Sequence, residues 1–590
     1  MMTKHDKGLA TTTRLVGGSD PVQQGIKVGI LGSVLLPLAP FIVLARFGGF
    51  DLSRPVTFLL DFTILLTAAL PILAFANTFV RYPSKARFFK DWAGAASFLG
   101  TFVIACLFAF VRSGFLGAES VAAIGILFLA LHRGALLLLR SKKFQGRPAL
   151  ALGSSFALMI IIGSIFLGAA PNATVQGENL GIVDALFTAT SATCVTGLET
   201  VSTASTLSIF GQSIVLFLIQ IGGLGIMTLG TFLLLTSGHR LGLSSRAMVR
   251  DSLNVEGQNG MARLLAAILG FTFAFEFIGA LCFYFWFGGD DHPIFTSIFH
   301  SVSAFCNAGF ALRSDSFSSF AVDPLFNLTG IALITTGGIG FTVLRELRSR
   351  LFTRIRGERS KPLSLHTRIV LITSLVLTVV GAVGFFLLEF NGVLSDLSTG
   401  QSVLVSVFQS VSTRTAGFAT VSFGGEEGLS QATRFFLMPL MWVGASPGST
   451  GGGLKTVTLA VLILGVVAQM RRRKHAEILG RQLPDDQMKQ AATIAFLYGA
   501  TLCVAVLALL ISDGTRFELN ELLFEAVSAV ATVGFSCGVS GSDQLSDFGK
   551  LTIIVLMFVG RLGPLTLVLV LGRNRGHVAI DYPEERVMIG

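Results

Sequence analysis

The sequence predicts an all-α polytopic membrane protein: four tandem M1–P-loop–M2 units in a pseudo-fourfold arrangement, preceded by four extra transmembrane helices. Three observations carry this. Of 590 residues, 52% are hydrophobic and 13% charged, with a mean hydropathy of +0.73, whereas soluble domains carry roughly 25% charged residues. Four apolar stretches too short to span a bilayer each run into a glycine turn, at similar spacing along the chain. Basic residues gather in short gaps between the apolar runs.

A helix needs about 20 apolar residues to cross the hydrocarbon. Candidate spans fall near 26–46, 56–79, 92–112, 118–140, 149–170, 206–236, 262–288, 325–343, 367–390, 433–471, 489–512 and 549–572. The first ~25 residues are polar and unlike a cleaved leader, so the first span is expected to stay as an anchor. The net charge is +10, but its distribution argues against nucleic acid. Arg81–Lys90, Arg133–Arg147, Arg345–Arg359 and Arg471–Lys474 alternate with gaps that carry acids such as Asp290, Asp291, Glu426, Glu427, Asp543 and Asp547. Positive charge is retained on the cytoplasmic side. Residues 1–25, 81–91, 132–148, 239–262, 344–366, 471–488 and 573–590 are therefore expected inside. Each later M1 then runs outward and each M2 returns.

The short stretches are Ala185–Ala192, Ile294–Ala304, Leu404–Ser412 and Leu522–Ala529. They read as re-entrant half-helices, tolerated at membrane depth only where protein or a wet cavity satisfies the backbone. Their turns are Cys194-Val195-Thr196-Gly197, Cys306-Asn307-Ala308-Gly309, Thr415-Ala416-Gly417 and Thr532-Val533-Gly534. The glycines lie 112, 108 and 117 residues apart. Each turn is preceded by a phenylalanine (Phe187, Phe299, Phe408, Phe524) and a serine (Ser191, Ser303, Ser412, Ser528). Such a repeat means one supersecondary unit used four times. The units are 148–240, 241–358, 359–480 and 481–575, after a 1–147 region of four spans and before a 576–590 tail. A second pattern follows each turn: Gly222-Gly223-Leu224-Gly225, Gly337-Gly338-Ile339-Gly340 and Gly560-Arg561-Leu562-Gly563. Close helix packing is the better reading of these M2 glycines. The third unit instead has a looser run, 444–453, followed by Lys455.

Chemically, stacked backbone carbonyls replace a monovalent cation's water without trapping it. Glycine permits the left-handed angles that turn successive carbonyls the same way. A half-helix ending at the pore adds its negative dipole end. No acid occurs in the turns, which disfavours a divalent site. Cys194, Val195, Thr196, Gly197, Cys306, Asn307, Ala308, Gly309, Thr415, Ala416, Gly417, Thr532, Val533 and Gly534 are thus the candidate ion pathway.

With VTGL, NAGF, TAGF and TVGF each following a short helix, the chain resembles the Trk/Ktr/HKT superfamily of cation transporters over about residues 148–590. Tyr582-Pro583-Glu584-Glu585 and Ile589-Gly590 are similar to the end of a Ktr-type membrane subunit. The resemblance implies a gated, channel-like potassium-uptake subunit of a bacterial inner membrane, not an enzyme, with K+ at the filter only and no covalently bound cofactor. Glycine in all four turns implies potassium, and Gly197 fits; Na+ is a possible coupling ion. The resemblance also implies a homodimer gated by a separate cytosolic nucleotide-binding ring. It makes 444–453 a gate interrupting the third M2, carried by Gly444, Ser446, Gly448, Gly451, Gly452, Gly453 and Lys455, with Arg561 as its partner. Five glycines and a proline in ten residues fit this, since they cannot hold a regular helix. An arginine inside an apolar helix is functional by default, although pairing with Glu276 or Glu389 is an alternative.

Arg414, inside a turn, is expected to point back and pin the loop to backbone or a carboxylate. Lys455 either binds the gate or snorkels. His300 and Gln409 sit at matching places and are expected to pack behind the filter. No histidine spacing suggests a metal site, and the glycine runs lack the strand that a nucleotide fingerprint needs. The rival readings are a sodium-selective relative and, from another class, an organic-solute carrier. The carrier would show two half-molecule repeats instead of four.

Overall fold

The computed structural model describes residues 148–237, 258–359, 362–425, 428–473 and 475–563, with isolated positions between 45 and 60. The four predicted N-terminal spans, the basic stretch 239–257 and the segment from 564 onward lie outside the described residues. In chain order the helices are α1 (Pro148–Ala169), α2 (Ile182–Cys194), α3 (Ile209–Ser237), α4 (Gln258–Phe287) and α5 (Pro293–Cys306). Next come α6 (Pro324–Ile339), α7 (Phe341–Ile355), α8 (Leu365–Glu389), α9 (Thr399–Ser412), α10 (Gln431–Trp442) and α11 (Thr456–Met470). A two-stranded hairpin, β1 (Glu477–Ile478) and β2 (Arg481–Gln482), leads to α12 (Asp485–Asp513), α13 (Leu519–Ala531) and α14 (Asp547–Leu562).

Helix starts follow local capping chemistry. Ser364, Ser430 and Ser546 hydroxyls accept the N–H groups of Thr367, Thr433 and Gly549 at the heads of α8, α10 and α14. Asp323 accepts from Leu325 and Phe326 ahead of α6, with Pro324 in its first turn. Capping boxes Ser398/Gln401 and Glu518/Glu521 begin α9 and α13. A side-chain oxygen here satisfies donors the first turn leaves free.

The short helices α2, α5, α9 and α13 run 13, 14, 14 and 13 residues. They exceed the predicted stretches because α9 and α13 open on polar, capped first turns and because α2, α5 and α13 continue two residues further, to Cys194, Cys306 and Ala531. At 1.5 Å per residue they are still only about 20 Å long, too short to span.

Among the described residues three helices are long and apolar enough to cross a membrane: α4 over Ala267–Phe287, α8 and α12. Most of their apolar surface faces outward; Leu375, Val379, Leu387, Phe285, Val504 and Ile511 are all exposed. That is how lipid-facing helices look. The predicted span 325–343 is instead two helices, α6 and α7, bent by 106° at Gly340. The predicted span 206–236 breaks at Gly225, whose φ is 72°. α14 stops at Leu562, with Gly563 at φ 83°. The fourth position of each glycine quartet is thus a helix break, and left-handed angles there account for it.

Packing closes head to tail. α3 lies on α5, α6 on α9, α10 on α13, and α14 returns to α2. Lys550 Nζ, in α14, donates to Asp184 Oδ1, in α2, at 2.7 Å. Phe187, Phe299, Phe408 and Phe524 are fully buried behind the four turns.

Candidate functional site

Each short helix ends alike. Val195, Asn307 and Thr532 cap α2, α5 and α13 at φ 58°, 59° and 53°. The matching Thr415 has φ 75°. The next amides fold back: Thr196 N–H donates to Ser191 O, Ala308 to Ser303 O, Ala416 to Ser412 O and Val533 to Ser528 O, at 2.8–2.9 Å. Then come Gly197, Gly309, Gly417 and Gly534 at φ 92°, 75°, 74° and 100°. A β-branched residue in the left-handed region costs of order 1 kcal/mol or more and persists only where its surroundings over-determine it. The four repeated serines supply part of that constraint. Ser191 and Ser528 hydroxyls accept from Gly197 and Gly534 N–H, both at 3.1 Å. Ser303 and Ser412 donate to Phe310 O and Phe418 O, both at 2.7 Å.

The turns meet in a ring. A Cβ on Gly197 would lie 2.5 Å from Ala308 O, one on Gly309 2.9 Å from Ala416 O, one on Gly417 2.3 Å from Val533 O, and one on Gly534 2.2 Å from Thr196 O. Every glycine therefore touches the next unit's backbone, and the last touches the first. Cys194, Val195, Thr196, Cys306, Asn307, Ala308, Thr415, Ala416, Thr532 and Val533 are fully buried around it.

The glycine pairs of M2 explain the close approach. A Cβ on Gly222, Gly337 or Gly560 would sit about 2 Å from Thr193 O, Phe305 O or Val530 O, the last turn of the preceding short helix. Side chains are excluded there, so packing is the role of these positions. Gly223 lies against Cys306, and Gly338 against Asn307.

In the third unit, residues 443–455 form a loop between α10 and α11. A Cβ on Gly451 would strike Thr415 Oγ1 and one on Gly452 would strike Thr532 Oγ1, each at 2.2 Å. Gly444 and Gly453 lie beside each other, Gly444 also meeting Thr415 and Gly453 Ala531 O. The loop thus fits beneath two of the turns. It is held at the α6–α7 break: Ser446 N–H donates to Gly338 O, Thr450 N–H to Gly337 O, and Phe341 N–H to Gly448 O. Ser446 also accepts from Thr456 Oγ1, and Thr450 Oγ1 donates to Phe305 O. Lys455 Nζ donates to Gly451 O at 2.8 Å and Gly452 O at 3.4 Å. It binds the loop and does not snorkel.

Arg561 is 7% exposed. Its Nη1 donates to Thr450 O in the loop and its Nη2 to Gly222 O in α3. Neither candidate acid pairs with it: Glu276 accepts from Gln220, and Glu389 from Ser430 and Val393. Arg414 turns away from the ring, and its Nη2 donates to the Thr378 hydroxyl at 3.0 Å. The expected backbone or carboxylate partner is replaced by a hydroxyl on α8. Thr450 and the breaks at Gly225, Gly340 and Gly563 escape sequence reasoning. The fourth glycine of each quartet was the available signal for the breaks.

These features define a helical membrane protein in which four half-length helices present glycine turns to one another. Residues 119–573 match the TrkH family, described as cation transport protein, and the chain belongs to that family. It is 36% identical over 457 residues to the Ktr system potassium uptake protein B of Bacillus subtilis (strain 168), covering 76% of this chain and 97% of that one. It is 38% identical over 456 residues to the Ktr system potassium uptake protein B of Vibrio alginolyticus, covering 76% and 96%. It is 34% identical over 451 residues to the potassium/sodium uptake protein NtpJ of Enterococcus hirae, covering 75% and 97%. The crystal structure of the potassium transporter TrkH from Vibrio parahaemolyticus shares the fold, with a TM-score of 0.60 at 21% identity over 81% of this chain and 96% of that one.

Proposed function

We propose that the chain is the ion-conducting subunit of a potassium-uptake system. Its four units stand in pseudo-fourfold array around one pathway, and the carbonyls of the four turns replace the water of K+. The single observation that carries this reading is the ring in which each turn glycine abuts the next unit's carbonyl. Relatives named for potassium uptake at 36–38% identity support the choice of ion. At about 100 mV each inward charge gains about 2.3 kcal/mol, enough for well over tenfold accumulation.

The loop 444–453 is the gate, latched by Arg561 and Lys455. The bacterial inner membrane is the proposed location. A second copy of the chain and a cytosolic nucleotide-binding ring are the proposed partners. Relatives named as parts of a Ktr system support a separate regulatory component. The basic segments 239–262, 344–366 and 471–488 would receive it, and deleting them without loss of regulator binding would remove that docking site. A sodium-conducting or Na+-coupled variant is the second reading, favoured by the relative named for potassium and sodium uptake.

Rubidium uptake into vesicles, with and without Gly197→Ser, tests the assignment. The expected result is Rb+ uptake lost and Na+ uptake gained. Equal Rb+ uptake by both proteins would refute it.

A further inference from the structure

The residue after each buried phenylalanine falls at one place on the short helix. It is Thr188 in the first unit, His300 in the second, Gln409 in the third and Glu525 in the fourth. All four are fully buried. Three of them reach across to the chain beyond their own glycine. His300 Nδ1 faces Thr296 O at 2.8 Å, and its Nε2 faces the N–H of Leu312, three residues past Gly309, at 3.2 Å. One carbonyl and one N–H partner fix a neutral ring, with the proton on Nδ1 and Nε2 accepting. The ring also stacks on Phe287 at 4.6 Å. Gln409 Nε2 donates to the hydroxyl of Thr420, three past Gly417, at 2.9 Å. Both Glu525 oxygens accept from the hydroxyl of Ser536, two past Gly534, at 3.0 Å, and Oε1 accepts from Ser540 N–H at 3.2 Å.

The first unit differs. Thr188 Oγ1 is buried with no hydrogen-bond partner. There the strand beyond Gly197 is tied within itself, Glu199 accepting from the N–H and hydroxyl of Thr203 at 3.2 and 2.7 Å.

We infer that His300, Gln409 and Glu525 are positioning residues that set the selectivity of the ion filter, by tying the outgoing strand of units two to four to the short helix behind it, while the first unit lacks this tie. The inference rests on the reading of the four turns as the filter. Where a carbonyl cage selects by snug fit, discrimination depends on its oxygens being held at fixed separation. A buried hydrogen bond is worth most through the cost of leaving its partner unpaired. The chemistry differs from unit to unit while the position does not, which separates a tether from ordinary packing. Glu525, which accepts from both Ser536 and Ser540, holds its segment most firmly, while His300 and Gln409 each reach theirs with one bond.

The test measures Rb+ and Na+ uptake together in membrane vesicles carrying the full chain. Glu525→Leu, Gln409→Leu and Thr420→Val are expected to lower the Rb+/Na+ uptake ratio, by about tenfold for Glu525→Leu and less for the others. Glu525→Gln keeps an acceptor for Ser540 N–H and is expected to restore the ratio to within about threefold. Thr188→Val, at the same position and burial but without a bond to lose, is expected to leave the ratio unchanged. Thr420→Val alters one hydroxyl outside the short helix, so it reports even if a helix variant fails to assemble. A ratio unchanged in Gln409→Leu and Thr420→Val, or lowered as much by Thr188→Val as by Glu525→Leu, overturns the inference. Gly197→Ser run alongside separates the two levels. If it shifts the ratio while the tether variants do not, the tethers fail and the filter reading stands; if neither shifts it, both fail.

Discussion

The layer of the four turns and the layer packed against it use the same units differently. Around the turns all four are near copies: a left-handed residue, then a glycine at φ 74–100° pressed against its neighbour's carbonyl. Beneath them the copies diverge. α3, α6 and α14 approach the short helices through Gly222, Gly337 and Gly560 and break three residues later. The third unit replaces that break with a loop of thirteen residues, 443–455, lying under Thr415 and Thr532. The fourth replaces a glycine with Arg561, which bonds the loop. Selecting an ion benefits from four equivalent ligands, whereas opening and closing needs one element that differs from the rest.

Equivalence is tested first, because it should give the largest effect. Gly534→Ala and Gly417→Ala place a methyl 2.2–2.3 Å from a neighbouring carbonyl oxygen at positive φ. Something must shift, and selective Rb+ uptake should fall by about a hundredfold or more, with backbone strain alone adding about 1–3 kcal/mol. Gly309→Ala, at 2.9 Å, should fall less. Equal losses at all three would break the claim that contact distance governs the effect.

The divergent half is tested by Arg561→Ala. Removing two charge-assisted hydrogen bonds frees Thr450 O and Gly222 O. Uptake without the regulator should rise by about tenfold or more, since the one bond to the loop is worth about 1.5–3 kcal/mol. Unchanged flux and regulation in a transport assay would remove the latch.

The three helix breaks sharpen the contrast. A Cβ on Gly340 meets Pro447 O at 2.6 Å, while one on Gly225 meets only Arg561 Nη2 at 3.6 Å. Both glycines have positive φ, so both substitutions strain the backbone. If the 443–455 loop gates the pathway, only Gly340→Ala should displace it, raising unregulated uptake severalfold while Gly225→Ala changes it little. Patch or flux measurements on the pair decide this.

The smallest effect lies at the head of α6. Burial raises the Asp323 carboxyl, but the Phe326 N–H, the Trp286 indole and the Leu325 N–H outweigh it and hold its pKa below the usual carboxylate value. Its stabilising contribution is complete above about pH 4 and is lost as pH falls through the lowered folded value. Asp323→Ala should cost about 1 kcal/mol. In melting curves the gap between the variant and the parent should be largest at pH 7 and shrink as pH falls below about 4.

The turns were legible in the sequence because their constraint is local. A short apolar helix, a serine and a positive-φ glycine leave the same trace in the chain four times. The lengths of α9 and α13 were underestimated because Gln401 and Glu521 make their first turns polar, and those of α2, α5 and α13 because each helix continues into the turn motif, to Cys194, Cys306 and Ala531. The breaks at Gly225, Gly340 and Gly563 were hidden for a different reason. A glycine in an apolar run reads as packing, and Gly222, Gly337 and Gly560 are packing sites; only the fold separates the two uses. Arg561 stood out as a charge within an apolar helix, but its partner Thr450 carries no marker, since any residue supplies a backbone carbonyl. His300 and Gln409 were legible as matching positions behind the turns, but Glu525 and the hydrogen bonds all three make were not, because unlike side chains do not read as one device.

The central claim is that one ion sits among four backbone turns. Anomalous scattering from crystals grown in rubidium tests it most directly. The predicted result is density on the axis shared by Thr196-Gly197, Ala308-Gly309, Ala416-Gly417 and Val533-Gly534, at similar distances from all four. Rubidium bound away from that axis, with none among the turns, would contradict it.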